Sequence, residues 1–206
     1  MINTNYIYEN KCSLSSDFCS NLIEIFEDGS NKYKYEGLTL GGLNKEIKDT
    51  TDMSIPENDE KWYKYHSFLT KELQRNLKKY LNILNNSKEI NNEGQLTNVN
   101  YSYFDKRILK SDFFLMQKYK QSTGKYIYHN DFMVNKKDNK YRVVTFLWYI
   151  NTVEEGGETS FGESFKIKPE QGKLILFPAC WTFPHCGKIP LSSDKYIVTG
   201  WLYIDF

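Results

Sequence analysis

The chain has 206 residues, a net charge of +1, 40% apolar and 16% aromatic residues. That length suits one domain with a full core, and the apolar share argues against disorder. The balanced charge implies no nucleic-acid partner, no apolar run is long enough for a transmembrane helix, and the segment from Met1 to Tyr6 lacks the regions of a signal peptide, so a cytoplasmic, reducing setting is expected.

The first half reads as helical. Cys12 and Cys19 sit here, Cys180 and Cys186 near the other end, and without C-x2-C spacing all four are expected as free thiols. Ser16 and Asp17 can cap a helix in which Phe18, Leu22, Ile25 and Phe26 recur at helical spacing, with Gly29 as its stop. Residues 28–58 are largely polar, contain Gly37, Gly41, Gly42 and Pro56, and read as a long irregular connection. A second helix is expected from near Pro56, where Glu57, Asp59 and Glu60 suit the positive end of its dipole. Trp62, Tyr65, Phe68, Leu69, Leu73, Leu77, Leu81 and Leu84 form its apolar stripe. His66 lies beside that stripe with no candidate ligand near it in sequence and reads as structural. The segment from Asn85 to Gly94 reads as a polar turn.

From Asp112 onward the pattern becomes that of strands. Eight are expected: Phe113 to Tyr119, the His129 segment, Tyr141 to Ile150, Glu158 to Ser160, Phe165 to Ile167, Lys173 to Phe177, Thr182 to His185, and Tyr196 to Ile204. Eight short strands after a helical half fit an α+β fold: an eight-stranded double-stranded β-helix, or jelly roll, flanked by the N-terminal helices on one face. The whole chain, 1–206, is expected to be a single domain, mainly helical over 1–95 and jelly roll over 96–206.

Three residue types carry the chemistry. In an extended strand, His129 and Asp131 would point the same way and present an imidazole and a carboxylate together. A distant second histidine, for which His185 is the candidate, would complete a facial triad with open positions, an arrangement suited to non-haem Fe(II) and oxygen chemistry. Imidazoles must be neutral to ligate, so metal binding is expected to weaken below about pH 6. Lys195 shares a strand face with Ile197, Thr199 and Trp201. Pointing inward, its ammonium would need an anion, and a dicarboxylate cosubstrate would supply one. Pointing outward, it would be one more solvated lysine.

These features occur within a longer ordered set. It comprises Tyr119, Gly124-Lys125-Tyr126 and His129-Asn130-Asp131; Arg142-Val143-Val144-Thr145 leading to Trp148-Tyr149-Ile150-Asn151; Gly156-Gly157-Glu158-Thr159; Pro169 and Gly172 before Leu174-Ile175-Leu176-Phe177; His185-Cys186-Gly187; and Lys195-Tyr196 with Trp201. In this order the set resembles the Fe(II)- and 2-oxoglutarate-dependent dioxygenases of the prolyl 4-hydroxylase type over Phe114 to Asp205, and faintly over Asp17 to Phe26 and Lys48 to Thr51. The resemblance implies that His129, Asp131 and His185 bind Fe(II) and that Lys195 holds the distal carboxylate of 2-oxoglutarate. It places Tyr119, Tyr149, Thr199, Trp201 and Tyr126 around that cosubstrate. It further implies O2 as co-reactant, ascorbate as reductant, and hydroxylation of an unactivated C–H bond, with peptidyl proline in a peptide or protein as first choice of substrate. A free amino acid, another side chain or a small metabolite is the alternative, and a non-redox cupin-type metal protein a more distant one. Residues 28–59 and 95–110 are expected as lids over the substrate.

Overall fold

A computed structural model describes residues 3–90, 93–98, 110–111, 113–162 and 165–205. Most of the expected 95–110 lid therefore lies outside the described residues. The first helix, α1, spans Ser16–Glu27. Its cap is Ser15, whose hydroxyl accepts from the Phe18 amide, one residue ahead of the expected Ser16. The second, α2, spans Glu60–Asn85 with Asp59 as its cap. Both lay their apolar stripes on one sheet, and all of the expected α2 stripe except Phe68 is buried. His66 meets Phe114 edge-on at 5.0 Å between ring centroids, a packing role. Glu72 and Asn76 are buried on the same helix, which their bonds explain. Ser13 Oγ donates to Glu72 Oε1 at 2.8 Å, Asn76 Nδ2 donates to the same oxygen at 2.7 Å, and Trp148 Nε1 donates to Ser13 Oγ at 3.0 Å.

Most of the described strands form two antiparallel sheets, with two separate two-stranded hairpins beside them. The major sheet runs Tyr8–Asn10, Leu174–Pro178, Lys140–Tyr149, Lys195–Asp205, Leu115–Tyr119, Thr51–Ser54, Tyr35–Glu36. The minor sheet runs Phe165–Ile167, Thr159–Phe161, His185–Gly187, Lys125–His129, Lys48–Asp49. The eight expected jelly-roll strands are divided four to each sheet. Alternation then sorts the side chains of the major sheet. Met116, Phe146, Trp148, Leu174, Leu176, Tyr196 and Val198 pack against the helices. Leu147, Tyr149, Ile175, Phe177 and Ile197 face the minor sheet and meet Phe161 and Ile167. The space between the sheets is where a site can form.

Two expectations are corrected. Residues 28–58 are not an irregular connection: they supply strands to both sheets and a small hairpin, Leu38–Thr39 with Gly42–Leu43. Each strand is only two to four residues long, too short for a period to register. The buried side chains of Lys48, Thr50 and Asp52 also disguise their burial as polarity. The strand expected over Thr182 to His185 instead spans His185–Gly187. Pro184 lacks a ladder N–H, and the Phe183 amide closes a turn on the Cys180 carbonyl at 3.1 Å. The four cysteines are free thiols, and among the described residues no helix is long and apolar enough to cross a membrane.

Leu69 is fully buried where α2 crosses the sheet. Leu69→Ala is expected to cost about 2–5 kcal/mol, read as a lower urea midpoint at unchanged slope. Lys71→Ala, on the exposed face, should leave the midpoint within error.

Candidate active site

Cross-strand register brings the two histidines together. Lys125–His129 pairs with His185–Gly187 so that His129 stands opposite His185, and their rings lie 4.4 Å apart. The register shifts between Tyr126 and His129, the kind of irregularity that re-aims a side chain. Asp131 is not on the strand, as simple alternation would have it. The strand ends at His129, and Asp131 reaches the imidazoles from the segment that follows. Its Oδ1 lies 3.7 Å from His129 Nε2 and its Oδ2 3.5 Å from His185 Nε2. One ligand atom from each of the three residues falls within 4.8 Å of the others.

The donor set suits a divalent ion. His129 Nδ1 lies 2.8 Å from the Ile127 carbonyl and His185 Nδ1 3.1 Å from the Phe183 carbonyl. A carbonyl only accepts, so each Nδ1 carries a proton, and Nε2 is the ring nitrogen each histidine turns toward Asp131. Thr145 Oγ1 donates to Asp131 Oδ2 at 2.8 Å. Burial pushes the Asp131 carboxyl up, but His185, His129 and the Thr145 hydroxyl together outweigh it and hold the carboxyl below its ordinary value. Burial, reinforced by His185, pushes His129 down to about 4. His129 therefore stays neutral well below the pH 6 threshold expected from an ordinary imidazole. Such a triad could hold Fe(II).

Beside the triad is a pocket of about 330 Å³. Lys195, Thr199, Trp201, Tyr119 and Tyr126 line it. Lys195 is 1% exposed, so the inward reading of its strand face is the observed one. Its ammonium donates to the Gly157 carbonyl at 2.9 Å and sits 4.0 Å from the centre of the Tyr119 ring. Among the described residues no carboxylate forms an ion pair with it, and burial pushes it down to about 7 against the weaker pull of Glu158. The Gly157 carbonyl is aimed by a turn in which Gly156 and Gly157 both have φ of +73°, a conformation that side chains oppose. An ammonium so placed offers a site to a ligand carboxylate.

The other expected residues divide. Tyr126 stacks flat on His129, with centroids 3.5 Å apart. Thr199 Oγ1 donates to the Phe146 carbonyl at 2.7 Å, and the buried Trp201 indole N–H is directed toward Asp131, whose pKa it helps to hold down, without a full hydrogen bond to it. The Tyr119 hydroxyl donates to Gln117 Oε1 at 3.3 Å. Tyr149 is fully buried and donates to Thr159 Oγ1 at 2.6 Å, so Thr159 stands at the pocket wall and Tyr149 behind it.

Sequence reading gave no role to Lys48, Asp52, Gln117, Arg142 or Thr145, which also line the pocket or support it. Gln117 carried a usable signal. It is a polar residue on the same strand face as Leu115 and Tyr119, inside an apolar run. Lys48 and Asp52 carried none, because a buried ion pair in a polar stretch looks like solvated loop.

Comparison with known proteins agrees with this geometry. Residues 114–203 match the 2OG-Fe(II) oxygenase superfamily. No curated protein matches the chain significantly by sequence. Among solved structures, the fold is shared with a viral collagen prolyl hydroxylase of Paramecium Bursaria Chlorella virus-1, solved with 2-oxoglutarate. The two are 18% identical over 97% of this chain and 96% of that one, with a TM-score of 0.64. It is shared also with a Trichoplax adhaerens prolyl hydroxylase in complex with a hypoxia inducible factor peptide, at 21% identity over 98% and 85%, TM-score 0.65. A Pseudomonas putida prolyl-4-hydroxylase matches at 14% identity over 98% and 94%, TM-score 0.65.

The titration of the site sets an acid limit on the metal-free protein. His129 has a folded value below its unfolded one, so the unfolded chain binds that proton first as pH falls from 6.5 to about 4. The low value of Asp131 contributes stability that is lost further into acid. Thermal melts in chelator should therefore show a lower Tm at pH 4.5 than at pH 7, and His129→Asn should flatten that slope.

Proposed function

We infer that this protein is a 2-oxoglutarate- and Fe(II)-dependent dioxygenase and, on that premise, that it hydroxylates peptidyl proline to 4-hydroxyproline, with residues 1–206 acting as one catalytic domain. Fe(II), 2-oxoglutarate and O2 are its cofactors, and ascorbate serves as reductant. Bound together, they supply oxidative decarboxylation to succinate and carbon dioxide and the transfer of one oxygen atom to a C–H bond. In this reading His129, Asp131 and His185 hold the ion. Lys195 takes the distal carboxylate of the cosubstrate, with the Tyr119 ring as its floor. Thr199 and Trp201 form the adjoining wall, Tyr149 fixes Thr159, and Tyr126 holds the plane of the His129 ring. Leu115, Leu147 and Ile197 exclude water between these groups.

The observation that carries the reading is the buried Lys195, with no carboxylate paired to it among the described residues, in the same pocket as the triad. The peptide substrate is supported by the pocket mouth, where Tyr35, Leu38, Leu40 and Phe132 are exposed, Leu40 at 87%. It is supported also by two neighbours that are a collagen prolyl hydroxylase and a peptide complex. One observation favours a free amino acid instead. Arg142 lies on the Trp201 ring at 3.5 Å and bonds Tyr203 through Nε, with no ion pair among the described residues, so its remaining N–H groups could take a substrate carboxylate.

The test incubates the protein with Fe(II), ascorbate and 2-oxoglutarate, assays succinate, and screens proline peptides and free proline by mass for one added oxygen. His129→Ala or Asp131→Ala should abolish succinate formation, and Lys195→Ala should mainly raise the KM for 2-oxoglutarate. Full turnover by His129→Ala would remove the ligand assignment.

A further inference from the structure

Asp52 and Gln117 are direct cross-strand partners, and both are buried. The Asp52 carboxylate accepts from three donors. Lys48 Nζ at 2.5 Å and Gln117 Nε2 at 3.1 Å meet Oδ2, and Thr50 Oγ1 at 2.7 Å meets Oδ1. A carboxylate has no proton to give, so it fixes which end of the Gln117 amide it faces. The NH2 turns to Asp52, and Oε1 is left for the Tyr119 hydroxyl. Tyr119 is held from two further directions. It is the cross-strand partner of Lys195, whose ammonium lies over its ring. Against its other edge is Gly187, where an added Cβ would stand 3.0 Å from Cε1 and 3.2 Å from the hydroxyl oxygen.

We propose that Gln117 and Asp52 are positioning residues for the cosubstrate: by holding the Tyr119 proton on Gln117 they keep the Tyr119 ring fixed beneath the Lys195 ammonium, and so set where a ligand carboxylate binds. Gln117 acts on Tyr119, Asp52 acts on Gln117, and Lys48 pairs with Asp52 in the interior. The proposal rests on the reading that Lys195 takes the distal carboxylate.

The experiment titrates 2-oxoglutarate by calorimetry into protein loaded with Mn(II), which replaces Fe(II) without turnover. Four forms are compared: the native protein, Gln117→Met, Tyr119→Phe and the double variant. Gln117→Met keeps the volume and removes both hydrogen bonds. It should weaken 2-oxoglutarate about fivefold, the factor expected of one such bond, with Mn(II) affinity unchanged. The double variant should bind like Tyr119→Phe alone, because Gln117 has nothing to hold once the hydroxyl is gone. Additive losses in the double variant, or a parallel loss of Mn(II) affinity, would overturn the proposal while leaving the cosubstrate site intact. Native protein that binds Mn(II) but not 2-oxoglutarate would overturn the reading of Lys195, and the proposal with it. Asp52→Asn is avoided as the primary test, since it strands the buried Lys48 charge and endangers folding.

Discussion

A lysine ammonium taken out of water with no counter-anion is among the costlier things a fold can hold. The pocket is arranged around that cost. Lys195 cannot retreat to solvent, because the Lys195–Asp205 strand lies between two neighbours in the major sheet. Among the described residues, what meets it is partial: the Gly157 carbonyl and the face of the Tyr119 ring. Both lower the cost without cancelling the charge. The same incompleteness that makes the site expensive leaves an ammonium that a ligand carboxylate could satisfy.

The metal triad is built on a different principle. Two of its members come from the register of neighbouring strands, which a rigid sheet fixes well. The third comes from backbone just past a strand end, where Thr145 on the opposite sheet holds Asp131 in place. Each imidazole is oriented by a carbonyl two residues before it in its own segment, Ile127 for His129 and Phe183 for His185. The tautomer is therefore set locally, and only the convergence of the three depends on the two sheets closing over one another.

The jelly-roll half was legible because its strands carry long apolar or β-branched runs: the Lys140–Tyr149 and Lys195–Asp205 strands announce themselves. The helical stripes were equally plain, down to Trp62 and Leu84. What escaped was the segment between the helices. Strands of two residues have no period, and Lys48, Thr50 and Asp52 satisfy one another in the interior, so their burial leaves no apolar trace in the sequence. Asp131 was found for a partly mistaken reason. The i, i+2 spacing placed it on the right side, yet the strand had already ended at His129. Ordered motifs picked out the three side chains that converge, while the supporting polar network, made by pairs far apart in the chain such as Asp52 and Gln117, needed coordinates.

The Lys195–Asp205 strand serves two masters along its length. Tyr196, Val198 and Leu202 anchor the helices, and Lys195, Ile197, Thr199 and Trp201 furnish the pocket. Because the two sets interleave, inserting or deleting a single residue there would exchange them, sending the ammonium into the helical interface and the aliphatic anchors into the cavity. A replacement there acts on one of the two sets, whereas a change of length not absorbed by a bulge acts on both at once.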